Sequence, residues 1–125
     1  MKAIAILGHW RTGSRLLTEI LQVCGLWLGN ENTGWEKTDG NDHPVLNTIG
    51  NEIYHGIRNH SEEEVKQVLR SYVEEADRLG KKAFGVKVTH SLQKPCWKVF
   101  KPAFEAEWPD TSYVIPIRDI DSIYE

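Results

Sequence analysis

Two periods of apolar residues alternate along the chain, and the switch between them predicts an α/β protein. Ala3-Ile4-Ala5-Ile6-Leu7 is a short unbroken apolar run, the pattern of a buried strand. From Ser14 to Cys24, Leu16, Leu17, Ile20, Leu21 and Cys24 recur at helical spacing, and Gly25 ends the stripe. Pro44 to Tyr54 places Val45, Leu46, Ile49 and Ile53 on one helical face. Ser61-Glu62-Glu63-Glu64 reads as a capping box, in which a serine and the third residue after it satisfy each other's backbone donors. The helix it opens buries Val65, Val68, Leu69, Tyr72, Val73, Ala76 and Leu79 before Gly80. Ala83 to Val88 predicts a second strand, and Trp97 to Trp108 a helix carrying Phe100 and Phe104, kinked or begun at Pro102. Ser112 to Ile117 predicts a third strand, at whose end Pro116 has no N–H to give to a ladder. Asp119 or Asp121 would cap a last helical turn.

Strands alternating with helices imply an α/β three-layer fold with a mostly parallel sheet and right-handed crossovers. Ligands in such folds collect at the carboxyl ends of the strands, an edge that Gly8, Thr89-His90 and Arg118 are expected to share. Gly29 to Asp42, rich in glycine, asparagine and charge, reads as a loop of about fourteen residues, long enough to be functional. Trp27 is expected to pack in the core, and Trp10 to line a cleft. His9, His43, His55 and His60 are read as solvated or locally hydrogen-bonded, and the glutamates at 62–64 and 74–75 as a solvated helix face.

Composition narrows the partners. The 125 residues suffice for one domain spanning 1–125. Fifteen basic against eighteen acidic residues leave a net charge of −3, so no general attraction to nucleic acid is expected and anion binding must be local. No window reaches the ~18 apolar residues of a membrane span, and the apolar start reads as a strand rather than a targeting segment. Cys24 and Cys96 are too few for a disulfide framework, and no CxxC or HxxxH pair suggests zinc, so a metal-free protein of the reducing cytoplasm is expected.

Candidate chemistry concentrates in Gly8-His9-Trp10-Arg11-Thr12-Gly13-Ser14-Arg15. Gly8 and Gly13 have the spacing of G-x-x-x-x-G-K-[ST], but Ser14 stands where that phosphate loop has lysine. The missing lysine argues against triphosphate hydrolysis. Backbone N–H groups at a helix start are unpaired and lie at the positive end of the helix dipole, so a phosphate fits there with Arg11, Ser14 or Arg15 adding donors.

The same stretch, extended to Ile6 and Leu17, resembles the 5′-phosphosulfate loop of sulfotransferases that use 3′-phosphoadenosine 5′-phosphosulfate (PAPS). The resemblance implies that Arg11, Thr12, Gly13, Ser14 and Arg15 hold the 5′-phosphate and sulfonate, Arg15 standing where the cytosolic branch often has a second hydroxyl. Tyr113-Val114-Ile115-Pro116-Ile117-Arg118-Asp119, after Trp108-Pro109-Asp110, is similar to the strand and Arg-Asp of the family's 3′-phosphate site, which implies a contact by Arg118. Val86-Lys87-Val88-Thr89-His90 resembles the Lys-Thr-His segment that carries the catalytic histidine, although Val88 separates Lys87 from Thr89. Aligned instead to the Lys-Asp-Pro segment of bacterial and carbohydrate sulfotransferases, Lys87 matches and His90 is incidental. Asn30 to Glu36 resembles those branches too, where a glutamate can serve as base, so Glu36 rivals His90.

The resemblance implies sulfuryl transfer from PAPS to a small-molecule or carbohydrate hydroxyl or amine, with His90 or Glu36 as base and Lys87 as acid or charge stabiliser. Family members are about twice as long, and their serine eight residues beyond the 3′-site arginine would fall just past Glu125, so a C-terminally truncated domain is expected, with a sheet edge open to self-association. Two alternatives stay open. One is a non-catalytic nucleotide-binding remnant, and the other a nucleotide or nucleoside kinase, for which Asp119 is the candidate magnesium ligand.

Overall fold

The computed structural model describes residues 2–8, 14–29, 43–89 and 91–115, and for Ser14, Arg15 and Thr89 the backbone alone. The elements run β1 (Lys2–Gly8), α1 (Ser14–Val23), α2 (Pro44–Tyr54), α3 (Glu62–Arg78), β2 (Ala83–Thr89), α4 (Lys94–Glu107) and β3 (Ser112–Val114). The three strands form one parallel sheet in the order β2-β1-β3. An α/β architecture is therefore observed, with the strand nearest the N-terminus at its centre.

Strand alternation assigns the two faces. Ala3, Ala5 and Leu7 of β1 and Phe84, Val86 and Val88 of β2 pack with Leu46, Ile49, Val65, Leu69, Tyr72, Phe100 and Phe104, so α2, α3 and α4 share one face. Ile4 and Ile6 pack with Leu17 and Leu21, which puts α1 on the other. The result is three layers.

The outer edge of β2 is met by backbone hydrogen bonds from two segments. Trp27 forms a parallel bridge to Phe84, donating to the Ala83 carbonyl at 3.1 Å and accepting from Gly85 N at 2.9 Å. His43 N donates to the Lys87 carbonyl at 2.9 Å. These contacts satisfy backbone groups that an exposed edge would leave open.

Several sequence expectations need adjustment. The stripe read into α1 is split: Leu17 and Leu21 turn inward, whereas Leu16 and Ile20 are exposed, as is Cys24 just past the helix end. With one small sheet face to cover, two inward positions suffice. Val45 of α2 is likewise exposed while Leu46 and Ile49 are buried. The helix read as beginning at Trp97 or Pro102 begins at Lys94, with Pro95 in its first turn and Pro102 inside it. Pro95 supplies a preset φ where no N–H is needed. Cys96, Phe100, Ala103 and Phe104 are all buried on either side of Pro102, and their packing outweighs a proline cost of about 3 kcal/mol. β3 is shorter than the stretch to Ile117 and ends at Val114, and Pro116 lies outside the described residues. The Ser61 capping box is present as read, with Glu64 N donating to Ser61 Oγ at 3.2 Å and Ser61 N to Glu64 Oε1 at 3.3 Å.

Candidate functional site

Strand register determines what the carboxyl edge brings together. Gly8 is the partner of Thr89, so β1 and β2 end level with one another. β3 runs parallel on the other side of β1, with Val114 opposite Ile6, and the chain leaves it toward the same edge. Residues 9–13 link the end of β1 to the first residue of α1, Ser14. The N-terminus of α1 and the carboxyl ends of β1 and β2 thus border one region.

Lys87 lies two residues before the end of β2, opposite Ile6, and therefore faces the α1 side. It is 7% exposed, which is unusual for lysine. Thr18 of α1 is fully buried as well. The aliphatic stem of a lysine packs readily against apolar neighbours, whereas a buried ammonium needs compensating polar or charged groups. Lys87 is the one candidate catalytic residue whose side chain is described. Ser14 and Arg15 are placed by backbone only, at the start of α1, where helix N–H groups lack intrahelical partners. Arg11, Thr12, Gly13, Glu36, His90 and Arg118 lie outside the described residues, as do Trp10 and Asp119.

Two of the histidines read as solvated or locally hydrogen-bonded are hydrogen-bonded, in specific positions. His43, the N-cap of α2, is 3% exposed, and its Nδ1 accepts from Leu46 N at 3.1 Å. That bond fixes the neutral tautomer with hydrogen on Nε2. Burial pulls its pKa from 6.5 down to about 4, against a smaller raising effect from its backbone hydrogen bond. The ring stands edge-on to Tyr72 at 5.1 Å, and the residue's N–H ties α2 to β2 at Lys87, so it anchors the carboxyl edge. A histidine directly before Pro44 was the available signal, since proline at a helix start makes the preceding residue a cap position.

His60 is held between two helices. Its Nε2 lies 3.1 Å from Glu52 Oε1 on α2, and its Nδ1 lies 2.7 Å from Glu64 Oε2 on α3. Glu64, on the helix face read as solvated, keeps its side chain 44% exposed while serving both the capping box read from the sequence and this contact, which was not read. Trp27 packs as expected, 7% exposed and 4.8 Å from the Tyr72 ring.

Among the described residues no group of histidine, cysteine, aspartate and glutamate side chains is arranged to hold a metal ion, and no helix is long and apolar enough to cross a membrane. Cys24 and Cys96 are free thiols. The class the fold defines is an α/β protein with a small parallel sheet. Comparisons with models of known families, with curated proteins and with solved structures gave no match to this chain.

Proposed function

We propose that the chain binds PAPS or its product adenosine 3′,5′-bisphosphate at the carboxyl edge and belongs to sulfuryl-transfer chemistry. The observation that carries this reading is the level pairing of Gly8 with Thr89 beside the start of α1. A P-loop likewise joins a strand to a helix N-terminus through a short glycine-containing connection, and this likeness supports placing the 5′-phosphate and sulfonate against the Gly13 and Ser14 amides and Arg11. Arg118, four residues beyond the end of β3, is the proposed 3′-phosphate contact.

In this mechanism a base takes the acceptor proton while fixed donors stabilise charge on the sulfonate and the departing phosphate. His90, one residue after β2, is the first candidate base and Glu36 the second. Lys87, buried beneath the same edge, is the proposed acid or charge stabiliser. The acceptor is a hydroxyl or amine of a small molecule or carbohydrate, and no metal takes part in the proposal.

Calorimetric titration with adenosine 3′,5′-bisphosphate tests the reading. Saturable binding is expected, and Arg11→Ala should weaken it by about 1–3 kcal/mol, the scale of a lost charge-assisted hydrogen bond. Tighter binding of ATP with magnesium would overturn the reading in favour of a kinase. If transfer to an acceptor is detected, His90→Ala and Glu36→Gln decide the base, because the correct removal should lower kcat by a factor of about 100 or more and flatten the pH profile. Nucleotide binding with no turnover identifies the non-catalytic form.

A further inference from the structure

A cleft of about 700 Å³ opens between α2 and α3. Val45, Ile49 and Val68 line its apolar part, and Glu52, His60 and Glu64 converge at one end. The volume falls within the ~300–1,000 Å³ of small-molecule sites, and an apolar body with a few convergent polar groups is their usual composition. Among the described residues, the lining contains two carboxylates and neither lysine nor arginine.

His60 shows what the charged end selects. Its side chain is 4% exposed, and each ring nitrogen meets a glutamate oxygen. Ionised carboxylates only accept hydrogen bonds, so a ring nitrogen serves its glutamate as a donor. Two carboxylates around one imidazole leave the group net negative whether or not the ring is charged. Lys66 pairs with Glu62 at 2.9 Å instead, and exposed Arg58 acts on Glu64 through its field. Glu52, about a quarter exposed, contacts His60 through Oε1 and remains accessible from the cleft.

We propose that this cleft binds a small amphipathic organic cation, its ammonium at Glu52 and Glu64 beside His60 and its apolar body along Val45, Ile49 and Val68. The site is independent of the nucleotide reading. Charge complementarity sets the sign of the ligand, and cleft volume limits it to the size of one or two fused rings.

Tryptamine is the probe, with its uncharged analogue tryptophol as control. Protein-observed NMR of the full chain should show saturable shifts confined to the methyl groups of Val45, Ile49 and Val68, with tryptamine binding at least tenfold more tightly. Glu52→Gln should reduce that preference to less than threefold. Ser71→Trp, at an exposed position on the cleft wall, should abolish binding of both probes without disturbing the core. Equal affinities, shifts without saturation, shifts located elsewhere, or binding indifferent to Ser71→Trp would overturn the proposal. Titrating the same samples with adenosine 3′,5′-bisphosphate keeps the two readings separable, since failure of either leaves the other standing.

Discussion

The two faces of the sheet are built to different standards. Against one face, α2, α3 and α4 enclose a continuous core in which Tyr72, Phe100 and Phe104 are completely buried and the Tyr72 ring touches those of Trp27, Phe84 and Trp108. Against the other, α1 and the Leu26 and Leu28 that follow it pack on Ile4 and Ile6, and Leu16, Ile20 and Val23 of α1 remain exposed at 63%, 50% and 89%. The thinner face nevertheless holds Lys87 and Thr18, buried polar groups next to the carboxyl edge. A thick apolar core excludes water and fixes the strands, whereas a thin layer lets polar side chains reach the strand ends where chemistry is proposed. Stability is concentrated on one side of β1 and candidate chemistry on the other.

Truncating matched positions on the two faces is the strongest way to break this comparison. Phe104→Ala should cost about 3–5 kcal/mol, the range for a buried aromatic, and Leu17→Ala on α1, which is only partly buried, about 1 kcal/mol. Urea unfolding followed by far-UV circular dichroism measures both, and equal losses would show that the faces are equivalent.

Acidification should act through the thick face. The His43 pKa is about 4 when folded and 6.5 as its reference value, so between those values the unfolded chain binds more protons. The contribution of neutral His43 is complete above pH 6.5 and declines as the pH falls toward 4, where roughly 3 kcal/mol is lost at ~1.4 kcal/mol per unit. Asparagine retains a capping acceptor without titrating, so His43→Asn should flatten the urea midpoint between pH 7 and 4.5. An unchanged pH dependence would assign the effect to other groups.

The smallest effect sharpens the comparison at Gly85, a crowded point on the α1 face. A Cβ on Gly85 would lie 2.6 Å from the Ile4 carbonyl oxygen and 3.2 Å from Leu26 Cδ2. The first of these is backbone in the partner strand and cannot swing away, so Gly85→Ala should cost about 1–3 kcal/mol despite the thin covering. A stability unchanged within error would mean that β1 and β2 separate easily on this side.

Chain patterning determined most of the elements, because their signals are local. The apolar run of β1, the Ser61 capping box and the helical spacing of Val65, Leu69, Tyr72 and Ala76 each depend on residues a few positions apart. The glycine spacing around residues 8–13 was equally legible, and so was an expected convergence of strand ends at one edge. Tertiary structure decided what no local pattern encodes. It set the strand order, the level pairing of Gly8 with Thr89 and the separation of α1 from the other helices. It also carried α4 through Pro102, because packing of Phe100 and Phe104 outweighs one lost hydrogen bond. Lys87 was named from the sequence but its burial was not, since a lysine in a strand carries no mark of which face a helix will cover. The His60 contact with Glu52 was hidden for the same reason: Glu52 is eight residues away on α2, and only the packing of α2 beside α3 brings its carboxylate to the ring.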